Sequence, residues 1–395
     1  MADLAFKETF DQISSRVRAG IAAGQYGFGV EFESGQASRA TLNDRNVVML
    51  TSNNYLGLAD HPAVVDACAR ALRTYGSGTC GARLHNGTTV LHRNLEKKVA
   101  AWLGYEDVVM FSSGYLANLG TISAIVDTDT TVVIDQLNHM SIIDGCKLAE
   151  GQTRIFTHND MQKLEYALAR ATTRKRLVVV DGVYSMEGEI APLVEIQRLA
   201  ERYDAMLMVD EAHALGVLGA EGRGAASHHG IRPDILMGAF SKTLAGGGGF
   251  VATGQAAADF LRHSAHAYIF NAAGAPSVVA GVDAAFDIMV SEPWRIDRLW
   301  SNTIRFRAGL MAAGFDVMNS VTPIVPIAIG DDDAAMRMAV DLLVEDVYIS
   351  AAIFPAVPHG KSRFRATITA ALEPADIDYA LDALTRAGIR HGVIQ

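Results

Sequence analysis

The chain has 395 residues, 50% of them hydrophobic and 20% charged, with a formal net charge of -10. That length exceeds one small domain and fits a large α/β unit with a smaller companion, with ample apolar material for a core. The acidic balance and the lack of any dense lysine or arginine block exclude nucleic acid as an expected partner, and the 3 cysteines, Cys68, Cys80 and Cys146, have no metal or CxxC spacing and read as buried structural thiols in a reducing compartment.

The opening MADLAFKETFDQISSRVRAG mixes both charges, so it reads as a helix and not as a signal or transit peptide. A short irregular or hairpin region follows around GFGVEFESG. No apolar run approaches about 18 residues, so no membrane span is expected and the chain reads as cytoplasmic. From Val47 to about Gly254 apolar runs alternate with helical patterns. The strand candidates are 108–113, 131–136, 176–182, 206–212, 235–241 and 249–254. Most are continuous apolar runs, as strands covered on both faces should be. HRNLEKKVAAWLG and PLVEIQRLAERYD supply helices between them, and the alternation predicts a mostly parallel sheet. After Ser291 a long helix, EPWRIDRLWSNTIRFRAGLMAAG, leads into IVPIAIG, a helix from about Asp332, VYISAAI, SRFRATITA and a last helix. The predicted division is an N-terminal segment 1–50, a large domain 51–292 and a small C-terminal α+β domain 293–395.

Two strand ends carry the chemistry. ILMGAFSK ends in Ser241-Lys242 and runs into the glycines 246–249. A lysine at the end of a buried strand can reach solvent, pair, or form an imine with an aldehyde cofactor. MLMVDEAH, about thirty residues upstream, ends in Asp210, with His213 three residues on. A carboxylate there can keep a pyridine nitrogen protonated, and His213 can donate to the ring's phenolic oxygen; the plain alternatives are a helix cap and an ordinary buried histidine. FSSGYLANLG leaves a strand, turns at Gly114 and enters a helix at Tyr115, a place where backbone N–H groups can hold phosphate. His139 can stack on a ring or move protons, or be a surface loop histidine; Ser185 can donate to the phenolic oxygen or cap a turn. In SRFRATIT, Arg363 and Arg365 share one face. One can take an α-carboxylate bidentately and the other hold an interdomain salt bridge, with Arg365 the preferred ligand and Asn54 a second donor. The glycines of GSGTCGARLHNGTTVLH (76–92) would let that loop cross close to an active site.

These blocks, from NNYLGL through GSGTCGARLHNGT, SSGYLANLG, NHMSIIDGC, VDGVYSMEGEIAPL, VDEAHALGVLGAEGRG and AFSKTLAGGGGF to RFRATITA, resemble the α-oxoamine synthases of pyridoxal phosphate fold type I. The branch most resembled is bacterial serine palmitoyltransferase, through AYIFNAAGAPSVVA, RLWSN and GIRHGVIQ among others. The resemblance implies pyridoxal 5'-phosphate held by Lys242, which also acts as the proton-transfer base. It places Asp210 on the pyridinium, His139 on the ring face, and His213 and Ser185 on the phenolic oxygen. Gly114, Tyr115 and Ser241 fall at the phosphate, and Arg365 and Asn54 at the amino-acid carboxylate. The implied reaction is a decarboxylative condensation of an amino acid with an acyl thioester. L-serine and a long-chain acyl-CoA are the preferred pair. Glycine or alanine with a shorter acyl group, or an acyl carrier protein as donor, is the alternative; an inactive partner subunit and a plain aminotransferase are readings of other classes. The family implies a homodimer with active sites at the interface.

The chain departs from the family pattern at several positions. Ala239 stands where relatives have a phosphate-binding Thr, and Asn271 where a partner Ser or Thr reaches the phosphate. Ile353-Phe354-Pro355-Ala356-Val357-Pro358 lacks the arginine that precedes the proline loop of bacterial serine palmitoyltransferases. Ala370-Ala371-Leu372 ends in Leu372 where the family has His. Asn53 stands where serine-specific members often have Tyr, and Ala82 where a Ser or Thr faces the substrate.

Overall fold

The computed structural model describes residues 2–24, 26–354 and 356–395, so Pro355 lies outside the described residues. A helix Ala2–Ala22 opens the chain and leaves Phe6, Phe10 and Ile13 exposed. The hairpin is at β1 (Arg39–Leu42) and β2 (Arg45–Met49), later than the GFGVEFESG region that the sequence suggested. Its two-residue turn, Asn43-Asp44, has φ 50° and 59°, the left-handed pair that suits the twist of a tight hairpin.

Seven strands then build one sheet: β3 (Asp107–Phe111), β4 (Thr130–Asp135), β5 (Gln152–Phe156), β6 (Lys175–Asp181), β7 (Met206–Asp210), β8 (Ile235–Ala239) and β9 (Gly249–Thr253). Their order is β3-β9-β8-β7-β6-β4-β5, all parallel except β9, which runs against both neighbours. The continuous apolar runs have a direct cause. Val178 and Val180 pack into one core while Leu177 and Val179 pack into another on the opposite face, so neither face of the strand can be polar. β5 escaped sequence reading because it is the sheet edge and mostly solvent-facing.

Four further strands, β10 (Ile324–Gly330), β11 (Val347–Tyr348), β12 (Ala351–Ala352) and β13 (Ser362–Thr367), follow the long helix Trp294–Ala312. β10, β13 and β12 form one antiparallel sheet. β11 pairs with β2 in parallel, so Val48 and Leu50 bury themselves in the C-terminal core beside Phe306, Phe364 and Leu384. The large sheet reverses its strand order between β4 and β6, and a crevice at the carboxyl ends of such strands is where α/β sheets bind ligands. Asp135, Asp181 and Asp210 end β4, β6 and β7 at that edge. Of the three cysteines, only Cys146 is buried; Cys68 is half-buried and Cys80 is exposed, because the glycine-rich loop that carries Cys80 runs over the surface.

Candidate active site

Lys242 sits in the connection between β8 and β9, which folds back tightly: Phe240 N–H donates to Gly248 O at 3.0 Å and Ala245 N–H to Lys242 O at 3.0 Å. Thr243 Oγ1 donates to Leu215 O at 2.7 Å and pins the segment. The lysine lines a cavity of about 240 Å³ together with Asp210, Asp181, His139, His213 and Gly114. Burial holds its ammonium below the ordinary lysine range; Asp210 and Asp181 pull it up and Arg365 pushes it further down.

Asp210 is buried, with Oδ2 accepting from Asn118 Nδ2 at 2.6 Å and Oδ1 from Ala212 N–H at 2.9 Å. Asp181 lies across the β6–β7 register from it and accepts from His139 N–H at 3.3 Å. Burial, then the neighbouring Asp210 charge, pushes Asp181 well above the usual carboxylate range. His139 caps the helix Met140–Leu148 and shares a 2.7 Å hydrogen bond between Nδ1 and Ser141 Oγ. Burial lowers its pKa against the pull of Asp210. His213 is buried, and its Nδ1 lies 2.8 Å from the Tyr55 hydroxyl.

The helix Gly114–Ile125 points its N-terminus at the same cavity. Ser113 Oγ caps it by accepting from Leu116 N–H at 3.1 Å, and the N–H groups of Gly114 and Tyr115 have no protein acceptor among the described residues. A Cβ on Gly114 would stand 3.0 Å from Ala239 Cβ, and one on Gly249 would stand 2.5 Å from Gly114 Cα. The two glycines therefore let the helix start sit directly on β9. The Tyr115 hydroxyl donates to Asp144, and its ring meets His139 edge-on, with centroids 6.2 Å apart. Ser241 is exposed and, with Lys242, also lines a second cavity of about 510 Å³ bordered by Asn53, Phe32 and Tyr348.

The two arginines of β13 separate. Arg363 pairs with Glu187 at 3.3 Å. Arg365 donates from Nε to Ser185 O at 2.5 Å, and from Nη1 to Asn53 Oδ1 at 3.1 Å and Thr367 Oγ1 at 2.8 Å. Asn54 is otherwise engaged: Oδ1 accepts from Leu58 and Ala59 N–H at 2.8 and 3.2 Å, and Nδ2 reaches Gln36 O at 3.4 Å. It is Asn53, its neighbour, that touches the arginine. Ser185 meets Arg365 through its carbonyl and lines neither cavity. Ala82 forms a bridge to Ala272 and is likewise outside both.

No residue of the loop 76–92 lines either cavity around Lys242 of its own chain. A Cβ on Gly87 would stand 2.2 Å from Gly81 O and one on Gly81 would stand 1.8 Å from Asn86 Oδ1, so those two glycines serve the loop's own packing. Arg83, Asn271 and Ser112 line a separate small cavity, where Asn271 Nδ2 donates to Ser112 Oγ at 2.5 Å. Leu372 is buried in the C-terminal core and Ile353 packs against it.

Tyr55, Asn118, Ser141 and Asp181 belong to this site and were not singled out in the sequence. Asp181 was within reach, since RLVVVDG ends in a carboxylate just as MLMVDEA does. The other three carry no local signal.

The donor set suits pyridoxal phosphate. Two carboxylates line one cavity; burial first, and then the Asp210 charge, raises Asp181, and a cationic ring nitrogen beside Asp210 would offset that charge. The free N–H groups at Gly114 and Tyr115 suit a phosphate, and the lysine suits an aldehyde.

The model of the family "Aminotransferase class I and II" matches residues 45–384. The 8-amino-7-oxononanoate synthase 1 of Bacillus subtilis (strain 168) is 41% identical over 359 residues, 90% of this chain and 92% of that protein. The serine palmitoyltransferase of Bacteriovorax stolpii is 39% identical over 366 residues, 92% of this chain and 87% of that one. Among solved structures, the serine palmitoyltransferase from S. paucimobilis with bound pyridoxal phosphate and myriocin superposes with a TM-score of 0.95 at 34% identity, over 98% of this chain and 99% of that chain. A likeness that spans 90% of the chain in sequence and 98% in backbone identifies one family: the chain belongs to the α-oxoamine synthases, acyltransferases of pyridoxal phosphate fold type I.

Proposed function

We propose that this enzyme condenses alanine or glycine with an acyl thioester, in the manner of an 8-amino-7-oxononanoate synthase, releasing CO2 and a free thiol. This replaces serine, the substrate preferred from sequence. The observation that carries it is Asn53 against Arg365, Oδ1 to Nη1 at 3.1 Å, where the resemblance expects a tyrosine in serine-specific members. Relatives named for 8-amino-7-oxononanoate synthesis at 41 and 42% identity point the same way. Serine with a long acyl chain is the second reading, favoured by the backbone likeness to serine palmitoyltransferase at TM-score 0.95.

Bound pyridoxal phosphate supplies an electron sink for charge released at the amino acid's Cα. Lys242 would hold its aldehyde carbon through Nζ, and the same Nζ, once free, would take the Cα proton. Burial brings that amine's pKa down toward the working range of a base. Asp210 would hold the ring nitrogen in its cationic form, with Asn118 and Ala212 N–H fixing the carboxylate. The amides of Gly114 and Tyr115 would hold the phosphate. His139 would face the ring, kept largely uncharged by burial. Arg365, braced by Ser185 O, Asn53 and Thr367, would hold the carboxylate and so orient Cα. Cα would bond to the acyl carbon as the C–S bond breaks and the thiolate takes a proton; the bond from Cα to the carboxylate would then break to release CO2, and Cα would take back a proton from Lys242 Nζ. The acyl chain would enter through the 510 Å³ cavity, which opens on Lys242.

A second copy of the chain completes the site in this reading. Phe270, beside Asn271, is 80% exposed, the opening helix leaves an apolar face uncovered, and Ala82 and the rest of the loop 76–92 line neither cavity around their own lysine. Sedimentation should then give twice 42.2 kDa. No helix among the described residues is long and apolar enough to cross a membrane, and a cytoplasmic location is part of the proposal. The test of the substrate is thiol release from a grid of acyl thioesters with alanine, glycine and serine. Release with alanine or glycine well above serine supports the reading; serine ahead of both reverses it.

A further inference from the structure

Tyr55, in the NNYLGL segment, is fully buried at 0% exposure. Its hydroxyl lies 2.8 Å from His213 Nδ1, with the rings edge-to-face at 6.2 Å between centroids. Such a contact can be made in two ways: the phenol donates to a bare Nδ1, or an Nδ1–H donates to the phenol oxygen. The fully buried phenol decides between them: that Nδ1 is the one hydrogen-bond partner its hydroxyl has among the described residues, and a buried hydroxyl hydrogen turned away from it would go unpaired, so the hydrogen turns to Nδ1. The phenol keeps that hydrogen, because burial pushes its pKa up to about 12 even against the Arg365 charge. His213 is itself held neutral, chiefly by burial and then by Lys242, Arg365 and His139. A neutral ring with Nδ1 accepting carries its one N–H on Nε2, and His213 lines the Lys242 cavity.

We propose that Tyr55 is a positioning residue that fixes His213 as the Nε2–H tautomer, so that the imidazole presents a donor to the cavity holding Lys242. Where that donor leads rests on the proposed function: with pyridoxal phosphate bound, it would meet the phenolic oxygen of the ring, the role that the family resemblance implies for His213. The tautomer itself does not depend on that reading.

The test is nitrogen NMR of cofactor-free protein labelled at its histidines, with the His213 signals among the 12 histidines assigned by their loss in His213→Asn. The expected result for the unmodified protein is a pyridine-type Nδ1 and a protonated, pyrrole-type Nε2. In Tyr55→Phe, which keeps the ring that fills the site, the two signals should move toward each other as the tautomers mix. A proton on Nδ1 in the unmodified protein overturns the proposal, as does a Tyr55→Phe spectrum in which His213 is unchanged. The unmodified protein decides the tautomer even if the variant fails to fold. A thiol-release assay that failed with every substrate would sink the proposed function and leave this result standing.

Discussion

Gly249→Ala is the sharpest perturbation of the phosphate end of the site. A methyl there would stand 2.5 Å from Gly114 Cα, 2.7 Å from Gly114 N and 3.0 Å from Ser113 C. Carbon atoms settle at about 3.5–4.0 Å, and these neighbours are backbone that cannot rotate aside. The start of the helix Gly114–Ile125 must therefore retreat by about 1 Å, at an overpacking cost of about 1–3 kcal/mol. The retreat carries off the two N–H groups that would hold the phosphate. Hydrogen bonds to charged groups contribute about 1.5–3 kcal/mol, so cofactor affinity should fall by roughly ten-fold to a hundred-fold. The assay is titration of cofactor-free protein with pyridoxal phosphate, followed by absorption, alongside a thermal melt. Gly254→Ala, just beyond the same strand, is the control: its φ is -71° and its nearest neighbour, Glu106 Oε2, is 3.6 Å away. Unchanged affinity and melting temperature in Gly249→Ala would show that the helix start does not rest on β9 as described.

Other substitutions probe the rest of the site. Ala239→Thr puts a hydroxyl on the cavity wall facing the helix start and should tighten cofactor binding about ten-fold, for about 1.5 kcal/mol of hydrogen bond; the same titration reads it. Arg365→Lys keeps the charge but loses the fork braced by Ser185, Asn53 and Thr367, and kcat/KM for the amino acid should drop roughly ten-fold to a hundred-fold. His213 is held well below the usual histidine range, first by burial. The unfolded chain gains a proton near pH ~6.5 that the folded chain refuses, so stability present above that pH is lost as the pH falls below it, by up to about 1.36 kcal/mol per unit. His213→Asn should flatten this part of the curve, measured as urea midpoints at about pH 7.5 and 5.5.

Lys242 and Asp210 were legible because each closes an apolar run, and a charge at the end of a two-face-buried strand needs a reason to be there. The same signal marks Asp135 and Asp181, and only their partners separate the three. Asp135 accepts from Leu137 and Asn159 N–H, at 2.8 and 3.0 Å, Asp181 from His139 N–H, and Asp210 from Asn118. Apart from the local bond from Leu137, those bonds join residues 24 to 92 positions apart in the chain, which a run of apolar letters cannot show. Strand alternation put Arg363 and Arg365 on one face, yet Glu187 claims the first and Ser185 O the second, a choice made by the turn after β6. Asn54 looked like the substrate donor, but its carbonyl oxygen caps the turn at Leu58 and Ala59, which hands the position beside Arg365 to Asn53. Tyr55 was invisible for a related reason: a buried aromatic in a loop reads as core until its hydroxyl is seen on His213.

The most direct measurement is borohydride reduction of the purified protein loaded with pyridoxal phosphate, followed by peptide mass mapping. One stable cofactor adduct is expected, on the peptide carrying Lys242, and none in Lys242→Ala. A protein that stays colourless and unlabelled, or an adduct on a different lysine, would contradict this expectation.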